Sequence, residues 1–204
     1  MKRKLLIAAA LLLLPMAAFA GSYYSAGASG VIGKSGDAGI VGGAGIYFDT
    51  YYAYKKDEAP LAHGFGMALE CDIPVNARGV LLNMLSGWAM EWDISGDGFA
   101  ELYTLLGPSF SCSIGRSENN FISIGAGIGI TGNFYFNENR TLGLNVGIRG
   151  VLEGTNFHDS VKGNVKPAGW FGAHVGFSCK IGQDYSQMPA HSYVVAPEFD
   201  EEKK

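Results

Sequence analysis

Apolar residues recur at every second position through most of the chain after residue 20, and this is the period of a β-strand. The clearest case is FISIGAGIGITGNFYF at residues 121–136, where isoleucine or alanine alternates mainly with glycine. We find about eight such segments, near residues 22–33, 38–54, 63–75, 80–94, 101–115, 121–136, 141–152 and 170–182. No stretch after residue 20 has a convincing helical period, so the pattern predicts an all-β fold.

Separating odd from even positions gives each segment one apolar face and one face of small and polar residues. In segment 170–182 the apolar face consists of Phe171, Ala173, Val175, Phe177, Cys179 and Ile181. The opposite face consists of Trp170, Gly172, His174, Gly176, Ser178 and Lys180. Segments 63–75, 80–94 and 141–152 divide in the same way, and their charges fall on the small-residue face. The two faces therefore meet different surroundings.

Two barrel architectures could produce this division. A soluble barrel turns its apolar face inward, and its outer face should be long, polar and charged. Here the second face is mostly Gly, Ser and Ala with few charges, which favours a crowded interior over a wet exterior. A transmembrane barrel turns its apolar face to lipid and its small, polar face to the lumen. The pattern therefore predicts a single antiparallel up-and-down transmembrane β-barrel of about eight strands.

Residues 1–20 have the composition of a secretory signal peptide. Met1-Lys2-Arg3-Lys4 precede an apolar run that ends at Leu14, and the segment closes with Ala18-Phe19-Ala20. The run is shorter than the roughly 20 apolar residues of a transmembrane helix. We predict cleavage after Ala20, with a retained N-terminal anchor as the alternative. The barrel then covers residues 21–182, and residues 183–204 form a short disordered periplasmic tail.

Charge and cysteine content narrow the choice of partners and compartments. Cleavage would leave 12 Lys and Arg against 19 Asp and Glu, a formal charge of −7, which gives no support for a nucleic-acid partner. The three cysteines, Cys71, Cys112 and Cys179, fall on the apolar face of strands that are not neighbours. We predict three unpaired thiols that face lipid and behave as small hydrophobes.

Aromatic residues on the apolar faces gather at one end of the predicted barrel. If strands alternate in direction from a periplasmic N-terminus, the starts of odd strands and the ends of even strands share the periplasmic rim. Seven aromatics fall on this rim, namely Tyr24, Tyr52, Tyr54, Phe65, Trp92, Phe134 and Phe136. Amphipathic rings prefer the depth at which hydrocarbon meets headgroups, so we predict a periplasmic aromatic girdle.

Charged and titratable side chains on the other face are predicted to point into the lumen. They are Asp49, Glu70, Asp72, Glu91, Asp93, Arg149, His174 and Lys180. Isolated buried charges are costly, so these groups must pair or reach water at the mouths. Height along the strands brings Glu70 and Asp72 near Arg149, and Glu91 and Asp93 near Lys180. We predict a charge network that fills the lumen.

Segments that resemble catalytic or nucleotide-binding motifs lack the structural context that those motifs require. Residues 28–35 nearly spell a P-loop, and residues 127–132 spell GxGxxG, but both lie in strands with no helix after them. His174 and Ser178 share a lumen face four residues apart, too far for a nucleophile and its base, and no third group completes a set. The chain is therefore predicted to be no enzyme, with a lipid-modifying enzyme as a minor alternative, and to have no cofactor and no metal site.

With this strand pattern the chain resembles the small eight-stranded outer-membrane barrels of the OmpX, OmpW and OmpA-transmembrane-domain type. The resemblance covers the signal peptide and residues 21–182 and rests on pattern, not on an invariant motif. It implies the outer membrane of a diderm bacterium and insertion by the barrel assembly machinery, which reads the last strand. Members usually end that strand with an aromatic residue, whereas here Phe177 is followed by Ser178-Cys179-Lys180-Ile181 and then the tail.

Two functional hypotheses follow from this resemblance and from the lumen. The first is a non-enzymatic outer-membrane protein with a structural or surface-interaction role through loop 153–169, where Asn156, Phe157, His158 and Asp159 are the candidate contacts. The second is a narrow passive channel for small or hydrophobic solutes, which the OmpW type suggests. The charge network argues against a wide pore, whereas the many lumen glycines indicate incomplete filling. The expected partners are outer-membrane lipids, the barrel assembly machinery and an extracellular partner of the loop, with no nucleic acid.

Overall fold

Eight antiparallel strands form a closed barrel. The computed structural model describes residues 23–35, 40–54, 61–75, 79–95, 99–114, 122–137, 141–155 and 166–180. The strands are β1 Tyr23–Ser35, β2 Ile40–Tyr54, β3 Leu61–Pro74, β4 Val80–Asp93, β5 Ala100–Ile114, β6 Ile122–Tyr135, β7 Gly143–Thr155 and β8 Lys166–Lys180. Each pairs with its neighbour in sequence, and β8 pairs with β1. The predicted fold class and number of strands are confirmed.

No helix long and apolar enough to cross a membrane occurs in the part of the chain that the structure describes. The predicted signal peptide at residues 1–20 and the predicted tail at residues 183–204 lie outside the described residues, so both stay predictions.

The two ends of the barrel are named here by their contents. The terminal end is where β1 begins and β8 ends, and it carries the connections after β2, β4 and β6. The loop end is the opposite one, with connections 36–39, 75–79, 115–121 and 156–165. At the terminal end two turns are held by side chains. The Ala100 amide donates to Ser95 Oγ at 3.0 Å, and the Thr141 amide donates to Asn137 Oδ1 at 2.9 Å.

The β4–β5 ladder is interrupted at one level. Leu85 pairs with Ser109 and Trp88 with Leu106, and the two positions between them on each strand are not paired. One of these is Pro108, which has no backbone N–H to donate. Gly87 lies in the same gap with φ 149°, a conformation that side-chain-bearing residues rarely adopt.

Alternation along the strands places the apolar residues on the outer wall, as the parity of the sequence predicts. On β6, β7 and β8 this wall is exposed, with Ile128 at 48% and Val175 at 52%. The inward positions of the same strands are mostly buried. Cys71, Cys112 and Cys179 are free thiols with outward parity, which confirms that they are unpaired. The outer surface is therefore mostly apolar, and most polar residues of the strands lie inside.

Candidate functional site

The lumen is the candidate site, and its first layer at the loop end is apolar. Val31, Leu81 and Trp170 form a buried cluster there, with Val41 and Val151 packed against it. The Trp170 indole donates to Glu153 Oε2 at 3.2 Å, and the Ser111 hydroxyl donates to Glu153 Oε1 at 2.9 Å. These contacts hold the indole across the mouth of the barrel.

Arg149 is the centre of an ionic layer below this cap. Its Nη2 atom donates to Asp49 Oδ1 at 2.7 Å, and its Nη1 atom lies 3.1 Å from Glu70 Oε1. All three side chains are buried. His174 lies beside them, with Nε2 3.7 Å from Asp49 Oδ2 and 3.3 Å from Thr131 Oγ1. The guanidinium therefore compensates two buried carboxylates.

The remaining predicted acid of this level, Asp72, accepts a hydrogen bond from the Ser29 hydroxyl at 2.8 Å. Asn83, which pairs with Glu70 across the β3–β4 ladder, has a buried amide whose oxygen and nitrogen have no hydrogen-bond partner among the residues that the structure describes. A cavity of about 10 Å³ touches Asn83, Glu70, Ser111 and Arg149. That volume is close to the minimum needed for one water molecule. This cavity therefore has no room for a solute.

Tyrosine and asparagine side chains fill the next layer. The Tyr47 hydroxyl donates to Asn145 Oδ1, and the Tyr23 hydroxyl donates to Asn133 Oδ1 at 2.6 Å. The Asn145 amide links the two by donating to the Tyr23 hydroxyl and to Asn133. Tyr23 also stacks on Tyr103, with ring centroids 4.6 Å apart. Beyond inward parity, nothing in the sequence indicated this layer, because its partners are more than ten residues apart.

Lys180 forms the layer nearest the terminal end. Its Nζ atom donates to Glu91 at 2.9 Å and to Glu101 at 2.7 Å. The structure thus brings Glu91 to Lys180 and adds Glu101, which sequence reasoning missed although it lies on the inward face of β5. Asp93, the other acid assigned to this level, accepts a hydrogen bond from the Ser95 hydroxyl at 3.2 Å.

The lumen glycines provide space for the large side chains of other strands. A methyl group added at Gly66 would lie 2.6 Å from the Tyr51 ring, and one added at Gly147 would overlap His174. Further glycines face large side chains in the same way, namely Gly33 with Trp170, Gly172 with Glu70 and Gly176 with Tyr47. The expectation that so many glycines indicate incomplete filling is therefore wrong for these positions, because side chains from across the barrel occupy the space.

Gly66→Val is expected to destabilise the barrel by about 1–3 kcal/mol, the usual cost of overpacking. The Tyr51 ring cannot retreat, because it lies against the Tyr23 and Tyr103 rings with centroids 5.2 and 5.1 Å away. The matched control is Gly150→Val on the outer wall, where an added Cβ meets nothing within 4 Å. Urea unfolding of the detergent-folded protein measures both, and equal stability of the two variants would refute the packing assignment.

The predicted girdle residues lie near the terminal end with outward parity. Phe65, Trp92, Phe134 and Phe136 are exposed, with Phe136 at 62%, while Tyr24 and Tyr52 are half-buried. Tyr54 is the last residue of β2, and its side chain lies outside what the structure describes. Two further outward aromatics, Trp88 and Phe177, are also exposed, and Trp88 pairs with Phe65 across the β3–β4 ladder.

The predicted surface loop 153–169 is shorter in the structure. Residues 153–155 continue β7 and residues 166–169 begin β8, paired from Glu153 with Ala168 to Thr155 with Lys166. Gly154 and Pro167 are residue types typical of loops, and here they face each other near the outer end of this hairpin. The remaining connection is 156–165. Its candidate contacts Asn156, Phe157, His158 and Asp159 lie outside the described residues.

The two nucleotide-motif lookalikes are strand segments. Residues 28–35 lie within β1 and residues 127–132 within β6, and both are paired on each side. Among the described residues no group of three or more His, Cys, Asp or Glu side chains is arranged to hold a metal ion.

Comparisons with known proteins give a fold. No protein-family profile and no curated protein sequence matches the chain. Three solved structures are similar: Neisserial surface protein A (18% identity, TM-score 0.54, 79% of this chain and 97% of that one), Ail of Yersinia pestis (14%, 0.49, 78% and 98%) and the outer membrane protein OprG of Pseudomonas aeruginosa (13%, 0.43, 80% and 97%). The first of these shows that the chain has the fold of a small eight-stranded outer-membrane barrel.

Proposed function

We propose that this chain is an integral outer-membrane barrel with a closed lumen, that its role is structural or lies in surface contacts, and that it catalyses no reaction. The observation that carries the proposal is the succession of four side-chain layers in the lumen. They are centred on Trp170, Arg149, Tyr23 and Lys180. Eight strands enclose an interior that side chains can just fill, so four such layers leave a solid body.

The outer-membrane location is supported by the apolar outer wall and by the fold shared with Neisserial surface protein A. We assign the terminal end to the periplasm, because the outward aromatics gather there and because β1 begins and β8 ends there. Insertion would then depend on the barrel assembly machinery, and the wall would meet outer-membrane lipids. An extracellular partner would meet the loop end, where 156–165 is the longest connection.

A narrow channel for small or hydrophobic solutes is the competing function. It requires a continuous opening past all four layers. The ionic layer by itself crosses the interior at one level, because Arg149 on β7 contacts Asp49 on β2 and Glu70 on β3. The lumen glycines, which would favour a channel if they left empty space, accommodate tyrosine, tryptophan and histidine side chains instead. The packing therefore favours the closed barrel.

Planar-bilayer recording tests the closed lumen directly. The detergent-folded wild-type protein is expected to insert and give no steady conductance steps. A variant with Tyr23→Ala, Tyr51→Ala and Tyr103→Ala, once heat-modifiability on electrophoresis has shown that it folds, is also expected to stay closed, because the layers centred on Trp170, Arg149 and Lys180 remain. Steady steps from the wild-type protein would contradict the proposal and favour the channel.

A further inference from the structure

The small cavity of the lumen lies between the ionic layer and the apolar cap. Its volume of about 10 Å³ is at the lower limit of what one water molecule needs. Glu70 and Arg149 line it from the ionic layer, and Val151 and Trp170 line it from the cap. Asn83 on β4 lines it as well. The cavity therefore has room for one small occupant and has polar groups on part of its wall.

The polar groups at this cavity have bonding capacity that the protein does not use. Asn83 has an inward side chain that is only 9% exposed, and neither atom of its amide has a hydrogen-bond partner among the described residues. Glu70 Oε1 and Arg149 Nη1 lie 3.1 Å apart but are not aligned for a hydrogen bond with each other. Buried polar groups without such bonds are costly and uncommon in native proteins. Two donors and two acceptors at the cavity thus lack hydrogen bonds.

We infer that this cavity binds one water molecule, which joins the Asn83 amide to the ion pair of Glu70 and Arg149. Asn83 and Glu70 are cross-strand partners, and the Cβ atoms of such partners lie about 4.5–5.5 Å apart. A water molecule that makes two hydrogen bonds of about 2.7–3.2 Å can bridge groups at that separation. Buried waters typically bond to polar groups that otherwise have no partner. The site goes beyond the proposed function, but a long residence of the water rests on the closed lumen.

Water fits this lining better than an ion does. A metal cation would be repelled by the Arg149 guanidinium and could not accept a hydrogen bond from the Asn83 amide nitrogen. An anion would meet the Glu70 carboxylate. Cavities that stay empty are apolar, and this one is not. A water molecule donates two hydrogen bonds and accepts two, which matches a lining of two donors and two acceptors.

Crystal structures of the detergent-folded barrel, at a resolution that places ordered waters, test the assignment. The wild-type protein is expected to show one density peak in the cavity, about 2.7–3.2 Å from polar atoms of Asn83 and Glu70. Asn83→Leu replaces the amide with two methyl groups in the same branched shape and is expected to lose the peak. Ser123→Ala is the matched control, because Ser123 is buried with an unpartnered hydroxyl but does not line the cavity. This variant is expected to keep the peak.

The outcomes separate a water site from its alternatives. An empty cavity in the wild-type structure overturns the assignment whether or not Asn83→Leu folds. A peak that Asn83→Leu retains, or that Ser123→Ala also loses, overturns the role of Asn83. A peak with oxygen distances of about 2.3–2.6 Å, the range of calcium–oxygen bonds, overturns the assignment in favour of a metal cation.

The lifetime of the bound water distinguishes failure of this site from failure of the proposed function. Magnetic relaxation dispersion of the solvent, recorded on the wild-type barrel and on Asn83→Leu, measures how long the water stays. The wild-type barrel is expected to show a contribution from one long-lived water that Asn83→Leu lacks. A cavity peak in the crystal without that contribution supports the site and refutes the closed lumen. A missing peak in a barrel that gives no steady conductance refutes the site alone.

Discussion

Arg149→Met is expected to lower the free energy of unfolding by about 3–5 kcal/mol, the usual consequence of removing one partner from a buried ion pair. The variant leaves Asp49 and Glu70 in the lumen without the guanidinium that lies 2.7 and 3.1 Å from them. Both carboxylates are buried, so bulk water does not replace it. Urea titration of the folded barrel, followed by heat-modifiability or tryptophan fluorescence, measures the loss.

Two further variants separate charge from packing at this site. Adding Asp49→Asn and Glu70→Gln to Arg149→Met removes every charge of the trio and should recover much of the lost stability, because no unpaired ion remains. Lys34→Met removes a cation from an exposed position near the loop end and should change stability by about 0–1 kcal/mol. A loss from Arg149→Met no larger than that of Lys34→Met would show that the ionic layer is not as dry as its geometry indicates.

Ile128→Lys is expected to cost about 2–4 kcal/mol, the penalty for a lysine on the lipid face near the bilayer midplane. Ile128 lies near the middle of β6 with outward parity and 48% exposure. Leu142→Lys is the matched control, because Leu142 is equally exposed but lies next to β7 at the terminal end, where the penalty falls to about 0–1 kcal/mol. Folding into lipid vesicles at several urea concentrations measures both.

Equal costs for the two lysines would contradict a lipid-facing wall. The neighbouring lumen position Gly127 is unsuitable for a control variant, because a Cβ at Gly127 would overlap Val151 on β7. The absence of a side chain at Gly127 leaves the space that the Val151 side chain occupies.

The period of the sequence predicted the strands and the two faces of the barrel, since alternation is a local property that each segment carries by itself. Register is not local. The sequence could place Arg149 and Glu70 at a similar height along the barrel. The contact between Asp49 and the same guanidinium depends on how β2 and β7 are staggered around the barrel. The contact of Glu101 with Lys180 also depends on register. The inward parity of Glu101 could still have added it to the candidates.

The filling of the lumen was harder to predict than the polarity of the strand faces. From the sequence, Gly66 and Gly147 indicate empty space in the lumen. In the structure Tyr51 and His174, which come from other strands, occupy that space. The sequence predicted that β7 ends near Leu152, whereas β7 continues to Thr155 and pairs there with the start of β8, because this pairing depends on register between two strands.

The central claim is that one face of each strand meets lipid and the other is packed shut, and cysteine reactivity along β6 tests it most directly. Cys71, Cys112 and Cys179 are replaced by serine, and single cysteines are introduced by Ile128→Cys and Thr131→Cys. In the folded, membrane-inserted protein, the thiol from Ile128→Cys should react only with a lipid-soluble maleimide. The thiol from Thr131→Cys should react with neither that reagent nor a water-soluble methanethiosulfonate. Modification of the Thr131→Cys protein by the water-soluble reagent would demonstrate an open aqueous lumen and contradict the account.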